Sequence, residues 1–521
     1  MILATLLLLL LPSAATVHGT VRVEGSQEPI ARATVQIPAL RRGVLADERG
    51  YFVLAGVPAG RWTVRVSALG YRSVEREIEV PASGAVRLDV ELAAAPVALA
   101  GVEVRARARS EMGAETAAGP PPARITAPAL RAVPALAEVD VLRVVQTLPA
   151  VAAASDFSSA LYVRGGSPDQ TLITLDGVPL FNPYHLGGLF SAIDADAVSE
   201  VDVLAGATPA SAGDRLSGAV AIRTREGGRD RVRASGALGL ISSRASADGP
   251  LPGGRGSYLV SARRTYLDLF TGAAYALGAT NTTLPYAFTD AYLKATHGVG
   301  STGQLSAAVY LDAEHFRIPE RMQRAIDTDA QFGWGSRVAS LGYRQLFGPA
   351  LVGELRLAVS GFYGDFAARE RRYTMTDVAP LDDELTPYLD ARSRISDALV
   401  GAYLTWYARR HEVRFGAQLD RYRFEHDVAV HEAGLIDYVP EFRSASRPAT
   451  VAAYVEDAWT PREELSVRGG VRVLHAGERG TAWMPRLGAR WALTPVLALS
   501  VGAGRYAQLM HSLRDEESLA A

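Results

Sequence analysis

The order of the connections after residue 228 constrains this chain more than any other feature. Stretches of alternating apolar and polar residues are joined in turn by a short connection and by a long polar one. Short connections are predicted at Pro252–Gly256, Gly298–Gly303, Phe347–Pro349, Arg409–Glu412, Pro461–Glu464 and Thr494–Pro495. Long ones are predicted at Thr271–Pro285, Asp312–Gln331, Ala367–Arg394 and His426–Pro448, with a shorter one at His475–Ala482. This order predicts an antiparallel transmembrane β-barrel with tight turns on one side of the membrane and extended loops on the other.

The stretches between these connections have one apolar face and one polar or small face. In one of them, Val413, Phe415, Ala417 and Leu419 interleave with Arg414, Gly416, Gln418 and Asp420. Lipid outside and a wet interior require this pattern. Aromatic residues near the predicted strand ends fit interfacial girdles; they are Tyr266, Tyr343, Tyr363, Trp406, Tyr407, Trp459 and Trp491.

The strand count predicts an incomplete barrel. We count about thirteen strands, with Val232–Leu238 and Ser242–Pro250 as the first two. An odd number leaves the last strand on the external side, whereas bacterial single-chain barrels have an even number. A barrel that encloses a domain has about 22 strands, so about nine are expected to be missing. The tail Met510–Ala521 is polar and has no terminal aromatic strand.

The segment before the barrel begins with a compact all-β unit. Residues 17–92 contain period-two runs separated by turn residues such as Asp47–Gly50 and Pro58–Gly60, which predicts a β-sandwich. The phrase GTV…PIARATVQI…DERGYFVLAGVPAGRWTVRVSALGY resembles a carboxypeptidase regulatory-like domain. The resemblance implies an accessory module without catalytic groups.

The next unit contains the most specific motifs. Val139–Leu148 is a helix-compatible run, and Asp176-Gly177 between Leu172–Leu175 and Val178–Leu180 predicts a β-hairpin, because glycine accepts positive φ. Ser199–Leu204 and Gly218–Ile222 are expected to lie side by side. With Arg164-Gly165-Gly166, Asp176-Gly177-Val178-Pro179, the helix-like Asp194–Ser199 and the glycine-rich return, this stretch is similar to the plug of TonB-dependent outer-membrane receptors.

The resemblance implies a function and a set of partners. Such receptors import a scarce nutrient (a siderophore, cobalamin, an oligosaccharide or a peptide) across the outer membrane. A TonB–ExbB–ExbD-type complex driven by the inner-membrane proton gradient energises them, so outer-membrane lipid and a nutrient ligand are expected partners, together with a surface lipoprotein in some systems. The TonB box would lie in the linker at Leu99–Ala106, where Leu99, Val102, Glu103 and Val104 form a short strand-prone island. The same island is equally compatible with a last strand of the sandwich.

Two further side chains have alternative interpretations. Arg164 is interpreted as a structural anchor that pairs with carboxylates of the plug or of the barrel wall, with ligand binding as the alternative. His185, near Asn182 and Tyr184, either contacts ligand at the plug apex or is a hydrogen-bonded loop histidine.

The remaining observations concern export and catalysis. Ile2–Leu11 is an apolar run followed by small residues, which predicts a secretory signal peptide, with a buried N-terminal element as the alternative.

Cysteine is absent, which excludes thiol nucleophiles and Cys-ligated zinc, and the net charge of −2 gives no indication of a nucleic-acid partner. Gly298–Gly303 matches GxGxxG but lies in a hairpin turn, and no phosphate-loop, zinc-protease or nucleophile-elbow motif occurs. We therefore predict no catalytic site, cofactor or metal.

The expected fold is mostly β: an N-terminal β-sandwich, an α/β plug domain and an incomplete antiparallel transmembrane β-barrel. The expected division is a signal peptide over 1–15, the regulatory-like sandwich over 17–92, a linker with the TonB-box candidate over 93–128, the plug over 129–228 and the partial barrel over 229–521. The main alternative function is a non-transporting surface-binding protein or a vestigial receptor fragment. A secreted peptidase is the third hypothesis, and the missing metal motif argues against it.

Overall fold

Three sets of strands follow one another along the chain. The computed structural model describes residues 15–509 with the exception of 26–28, 41, 48, 69–70, 83, 94–121, 134–137, 154, 156–157, 240, 281–282, 284, 301, 319–327, 349, 372–374, 377–378, 381–384, 409, 431–440 and 495–496. The TonB-box candidate, residues 1–14 of the predicted signal peptide and the tail Met510–Ala521 lie outside the described residues. No helix in the described part is long and apolar enough to cross a membrane.

The first set forms the predicted β-sandwich. Its strands are β1 (Ala15–Val23), β2 (Thr34–Ile37), β3 (Arg42–Leu45), β4 (Tyr51–Val57), β5 (Gly60–Ser67), β6 (Val74–Val80), β7 (Ala85–Arg87) and β8 (Val90–Leu92). One sheet has β1 between β4 and the pair β7 and β8, and the other has the order β3-β2-β5-β6. Val17 of one sheet and Val35 and Val64 of the other are fully buried in one shared core. Ala15, the last residue of the predicted signal peptide, already lies within β1 and is buried.

The second set surrounds a mixed five-stranded sheet. Its elements are β9 (Ala123–Thr126), α1 (Ala127–Ala132), α2 (Val141–Gln146), β10 (Val151–Ala152), β11 (Tyr162–Val163), β12 (Thr171–Leu175), β13 (Val178–Pro179), β14 (Tyr184–His185), β15 (Phe190–Ser191), β16 (Val198–Leu204) and β17 (Gly218–Thr224). The sheet order is β13-β12-β17-β16-β9, with β12 parallel to β17. The hairpin around Asp176-Gly177 and the pairing of β16 with β17 are confirmed.

The helices of this unit are shorter than the sequence predicts. The run Val139–Leu148 forms α2 only over Val141–Gln146. The helix begins at Val141 because the Asp140 carboxylate caps its first turn, accepting hydrogen bonds from the backbone of Leu142 and Arg143 at 3.0 Å. The helix-like segment Asp194–Ser199 is a single 3₁₀ turn at Ala195–Ala197, after which β16 begins.

The third set is one large antiparallel sheet. Its elements are β18 (Arg233–Leu238), β19 (Ser242–Pro250), β20 (Gly256–Thr265), α3 (Leu267–Ala276), β21 (Tyr286–Val299), β22 (Gly303–Ile318), β23 (Thr328–Gly348), β24 (Leu351–Arg371), β27 (Leu385–Ala408), β28 (His411–Val430), β29 (Glu441–Ser446), β30 (Ala449–Arg462), β31 (Leu465–His475), β32 (Thr481–Thr494) and β33 (Leu497–Gly504), with a separate hairpin of β25 (Met375–Thr376) and β26 (Ala379–Pro380). Among the described residues the sheet has 14 strands. The continuous path from β18 to β33 contains the predicted thirteen, and β29 pairs with the end of β28 as the fourteenth.

The two faces of this sheet differ as the alternating sequence predicts. Leu355, Leu357 and Val359 are 57%, 50% and 55% exposed on the outer face of β24, whereas Ser360 on its inner face is 3% exposed. The same alternation holds on β28, where Phe415 and Leu419 are exposed and Asp420 is fully buried. A broad exposed apolar face is typical of a wall that lipid covers.

The predicted long connections are only partly correct. Strands β22, β23, β24, β27 and β28 continue far into segments predicted as loops, for example to Arg371 in β24 and from Leu385 in β27. These extensions are hydrogen-bonded hairpins without an apolar outer face, so no alternation marks them in the sequence. The segment Thr271–Pro285 includes part of α3, which the sequence analysis missed.

One of the predicted girdle residues faces inward. Trp406, Trp459 and Trp491 are 42%, 43% and 54% exposed on the outer face. Tyr407 is the neighbour of Trp406 in a regular strand, so it points to the opposite, inner face. The girdle prediction is therefore wrong for Tyr407.

The sandwich contacts the large sheet near its short connections. Asp47 forms an ion pair with Arg344, and Arg49 lies 3.4 Å from Glu354. The Arg344 guanidinium also lies 5.4 Å from the centre of the Tyr51 ring. Arg344 and Glu354 flank the short connection between β23 and β24, so the sandwich lies at the end of the sheet that carries the short turns.

Candidate functional site

The large sheet wraps around the five-stranded unit. Polar contacts join that unit to β19 through Arg225–Asp248, to β20 through Asp194–Ser261, to β21 and β22 through His185, to β23 through Asn182–Ser336, to β24 through Gly177–Arg356, to β30 through Ala210–Glu456, to β31 through Asp214–Arg472 and to β32 through Thr208–Arg486. One small domain can reach so many strands only if the sheet curves around it. We therefore call this domain the plug and the sheet the wall.

A buried histidine is the centre of the plug–wall contact. The His185 ring is fully buried, with Nε2 2.6 Å from Asp290 Oδ1 and Nδ1 2.9 Å from Glu314 Oε2. The ring stacks on Phe288 with 4.0 Å between centroids. The other oxygen of Glu314 accepts a hydrogen bond from the backbone N–H of Leu186 at 2.7 Å. Two wall carboxylates therefore hold one plug residue.

A buried arginine extends this network. Arg263 of β20 is 3% exposed. Its Nε donates to Asp290 Oδ2 at 2.6 Å, its Nη1 to Glu138 Oε1 at 2.8 Å and its Nη2 to the Ser191 carbonyl at 2.9 Å. Asp290 thus joins the wall arginine to the plug histidine, and Glu138 joins the same arginine to the plug. We call Glu138, His185, Arg263, Asp290 and Glu314 the central network.

The central network favours the charged form of the histidine. Burial alone would lower the pKa of His185, but Asp290 and Glu314 outweigh it and raise that pKa to about 9. His185 is therefore an imidazolium at neutral pH, and both ring nitrogens donate hydrogen bonds.

A second contact surrounds the Asp-Gly turn of the plug. Asp176 accepts hydrogen bonds from Tyr292 Oη at 2.6 Å and from Thr224 Oγ1 at 2.7 Å, and it lies 3.1 Å from Lys294 Nζ. Burial would raise the pKa of Asp176, but Lys294 and these hydrogen bonds hold it below its usual value. The carboxylate is therefore ionised and bridges β17 to β21.

The backbone of the same turn is held by β24. Arg356 Nη1 donates to the Gly177 carbonyl at 2.8 Å, and Ser360 Oγ donates to the Pro179 carbonyl at 2.6 Å. Arg356 also contacts Glu354, which lies near Arg49 of the sandwich. Contacts therefore run from the sandwich through β24 to the plug turn.

Replacing Gly177 with valine is expected to lower the free energy of unfolding of the plug by about 2 kcal/mol or more. Gly177 has φ +80°, which a β-branched residue rarely adopts, and a Cβ there would lie 2.3 Å from the Arg356 guanidinium. The urea midpoint for protease cleavage of the plug measures the effect. Gly300→Val is the control, because Gly300 has φ +61° and open space around it. Equal losses in both variants would show that the Arg356 contact contributes nothing.

A third contact lies on β30, β31 and β32. Glu456 accepts a hydrogen bond from the backbone of Ala210 at 2.5 Å, and Arg472 pairs with Asp214 at 2.8 Å. Arg486 donates to the carbonyls of Thr208 and Pro209. The plug is therefore fixed on two groups of wall strands that β27 and β28 separate.

The motif residues chosen from the sequence are only partly in these contacts. Asp176, Gly177, Pro179 and His185 lie at the plug–wall interface. Because His185 is fully buried between wall carboxylates, the hydrogen-bonded interpretation is the one that the structure supports.

The Arg-Gly-Gly motif lies elsewhere. Arg164 and Gly165 form a turn with φ +49° and +78°, and Gly166 packs on Ser217. Arg164 is exposed, its side chain lies beside Gly206, and no described carboxylate is within ion-pair distance. The predicted anchoring pair is thus not formed within the described part of the chain.

The wall residues of the central network were missed by the sequence analysis. Neither Asp290 nor Arg263 was singled out, and Glu314 falls within the long connection predicted at Asp312–Gln331. All three lie on the inner faces of their strands. What the sequence lacks is any indication of which inner-face charges meet the plug.

Aromatic side chains line the inner wall beyond the central network. Tyr286, Phe316, Phe332 and Phe366 lie at paired positions on four neighbouring strands, with successive ring centroids 6.1, 6.0 and 4.6 Å apart. The row lies toward the long connections, and Phe288 links Tyr286 to His185. Tyr286 is fully buried, whereas Phe316, Phe332 and Phe366 are half-buried, so these three offer an apolar surface to a ring-bearing molecule. The described residues contain no group of three or more His, Asp or Glu side chains placed to hold a metal ion.

A plug held by an antiparallel wall with an apolar outer face is the architecture of a plugged β-barrel receptor. Three family models match the chain in the order of its three sets of strands. The carboxypeptidase regulatory-like domain matches residues 16–93, and the TonB-dependent receptor plug domain matches 123–220. The TonB-dependent receptor-like β-barrel matches 241–509, which is more than half of the chain. The chain therefore belongs to the TonB-dependent receptors, whose family and fold are those of receptors and transporters and not of enzymes.

Solved structures share this fold. A mutant of the ferric enterobactin receptor PfeA from Pseudomonas aeruginosa is 17% identical with a TM-score of 0.55, over 76% of this chain and 63% of that one. The siderophore receptor PirA from Acinetobacter baumannii is 15% identical with a TM-score of 0.54, over 75% and 62%. The outer membrane transporter YddB from Escherichia coli is 12% identical with a TM-score of 0.55, over 75% and 62%. The match thus spans less than two thirds of these receptors' length, and a search of curated proteins finds no match.

Proposed function

We propose that this protein is an outer-membrane receptor that imports a scarce nutrient with energy supplied from the inner membrane. The observation that carries the proposal is the enclosure of the plug by polar contacts on many wall strands. Among the described residues β18 and β33 are the two edges of the sheet. In a closed barrel built on this wall, a ligand passes only if the plug moves. Breaking several buried charged contacts costs several kcal/mol, and the outer membrane has no nucleotide energy source, so a periplasmic partner of the TonB–ExbB–ExbD type supplies the work.

The ligand is proposed to bind above the plug. The aromatic row of Tyr286, Phe316, Phe332 and Phe366 faces the lumen on the side of the long connections. Similar folds are described as siderophore receptors, and one solved form of PfeA is in complex with enterobactin. A catecholate siderophore is therefore the first probe, ahead of cobalamin, oligosaccharides and peptides.

The division given by the sequence (signal peptide 1–15, sandwich 17–92, linker 93–128, plug 129–228 and barrel 229–521) is proposed with two changed boundaries. Ala15 belongs to β1 of the sandwich, and β9 (Ala123–Thr126) belongs to the plug sheet, so the signal peptide is proposed to end before Ala15 and the linker before Ala123. The TonB-box residues are proposed to be Leu99, Val102, Glu103 and Val104. The family matches at 16–93, 123–220 and 241–509 support the order of these units.

Deleting residues 99–106 is expected to abolish energised uptake without weakening ligand binding. The deletion removes the proposed attachment point of the energising partner, while the plug–wall contacts remain. Uptake of ferric enterobactin, cobalamin and a maltooligosaccharide by cells that express the full-length chain is measured beside binding to the same cells.

A deletion of eight residues at 111–118 of the same linker is the control and is expected to retain uptake. Uptake that survives loss of 99–106 contradicts the proposed box. Binding without uptake by the unaltered chain would instead favour the non-transporting surface receptor.

A further inference from the structure

Helix α3, in the long connection between β20 and β21, turns its apolar side outward. Leu269, Phe270 and Leu277 are 62%, 59% and 84% exposed. Ala273 and Ala276 are exposed as well, and at about 100° per residue these five side chains form one stripe roughly 120° wide. We call these five residues the α3 stripe. A helix that borders water normally packs its apolar stripe against the protein, so the orientation of α3 is reversed.

The opposite side of α3 holds its polar contacts. Asp268 accepts a hydrogen bond from the Arg264 guanidinium of β20 at 2.9 Å. Thr271 donates to the Leu267 carbonyl, one turn earlier, at 2.7 Å. Asp268 and Thr271 are half-buried, and α3 also lies against β21. The helix is therefore tied to the wall by its polar side, and the side that remains exposed is apolar.

The α3 stripe continues the outer face of the wall. Arg263 and Thr265 of β20 are buried on the inner face, so Tyr266, one residue further, points outward. The Tyr266 N–H donates to the Ile241 carbonyl at 3.1 Å, which extends the pairing of β20 with β19 through this residue. The Phe270 ring meets the Tyr266 ring edge-on, with 5.3 Å between the centroids. The stripe therefore begins at the rim of the surface that lipid covers.

The height and the charge of α3 both fit a membrane boundary. On the outer face of β20, Val260 is 41% exposed and Ala262 is exposed, so the apolar surface of this strand extends to Ala262. Tyr266 is four residues further, which is roughly 13 Å at about 3.3 Å per residue. No Asp, Glu, Lys or Arg occurs from Leu269 to Thr289. Helices that lie on a membrane bury an apolar side of this kind about 5–10 Å into the boundary between headgroups and acyl chains.

We propose that α3 is an interfacial anchor, whose stripe lies among the acyl chains of the membrane on the side of the long connections. Exposed apolar side chains leave water when they enter this layer, which favours the contact, and the contact requires no particular headgroup. Because α3 joins β20 to β21, the anchor holds this connection against the membrane and away from the entrance above the plug. The proposal rests on the outer-membrane location proposed above and does not depend on transport.

The test uses single-cysteine variants, because the chain has no cysteine of its own. Leu269→Cys, Ala273→Cys and Leu277→Cys of the full-length protein are each labelled with a nitroxide and reconstituted in phosphatidylcholine liposomes. Electron paramagnetic resonance measures the collision rate of each label with oxygen, which is enriched among acyl chains, and with a water-soluble nickel chelate. The ratio of oxygen to nickel collisions on the stripe is expected to be at least about fivefold higher than that of a label in water.

Two further labels calibrate the ratio. Leu357→Cys on the outer face of β24 gives the value for lipid, and Ala59→Cys, in the exposed turn between β4 and β5 of the sandwich, gives the value for water. A water-like ratio on the stripe beside a lipid-like ratio at Leu357 overturns the proposal and leaves the location of the wall intact. Stripe labels shielded from both oxygen and nickel also overturn it, because a protein surface would then cover the stripe. A water-like ratio at Leu357 overturns the location and the anchor together.

Discussion

Replacing Asp290 with asparagine is expected to lower the free energy of unfolding of the docked plug by about 3 to 5 kcal/mol. The change conserves shape but removes the carboxylate that accepts from His185 at 2.6 Å and from Arg263 at 2.6 Å. Two buried cations then lose their common counter-charge, and the amide NH₂ faces a donor. The urea midpoint for protease cleavage of the plug, compared with that of the unaltered protein, measures the loss.

Asp427→Asn is the matched control. Asp427 lies on the outer face and pairs with the exposed Arg443 at 3.2 Å, and exposed pairs contribute less than about 1 kcal/mol. A loss of less than about 1 kcal/mol in Asp290→Asn would contradict the assignment of the central network as the main plug contact.

Raising the pH from 7 to 10 is expected to weaken plug docking by about 3 kcal/mol. The pKa of His185 is about 9 in the folded protein against 6.5 as the ordinary value, and this difference corresponds to that energy. A raised pKa means that the stabilisation is complete below pH 6.5 and is lost as the pH rises through about 9. The groups that face the ring are Asp290 and Glu314, with Arg263 behind Asp290.

The urea midpoint of plug cleavage, measured at intervals between pH 7 and pH 10, tests this dependence. His185→Gln is expected to be less stable at pH 7 and to show a flatter profile, because it has no proton to lose. His411→Gln is the control, since His411 is an exposed histidine that pairs with Asp457 at 2.7 Å. An unchanged slope in His185→Gln would contradict the imidazolium assignment.

The central network also bears on the proposed transport. The five residues link β20, β21 and β22 to the plug; His185, Arg263, Asp290 and Glu314 are buried, and the Glu138 side chain is 10% exposed. Buried pairs of this kind resist partial opening, because each broken contact leaves an unpaired charge in the interior. A plug held in this way remains in place until a directed force acts on it, which agrees with the proposed energising partner.

Different parts of the fold were predictable to different degrees. The outer face of β28 follows from Val413, Phe415, Ala417 and Leu419, because lipid selects one kind of side chain at every second position. The strand extensions to Arg371 and Val430 did not follow, since the outer face of β28 beyond Leu419 carries Arg421, Arg423 and Glu425 in place of apolar side chains. Tyr407 was misplaced because an aromatic residue at a strand end fits either face.

The sequence alone determined the β-sandwich, the plug motifs and the thirteen-strand path, because period two, turn residues and the Asp176-Gly177 signal are local properties of the chain. Only the tertiary structure decided the partners of the inner-face charges. Asp290 is 105 residues from His185 and 27 residues from Arg263, and no local rule brings these three together. Their contact depends on how the wall curves around the plug, which is a property of the whole fold.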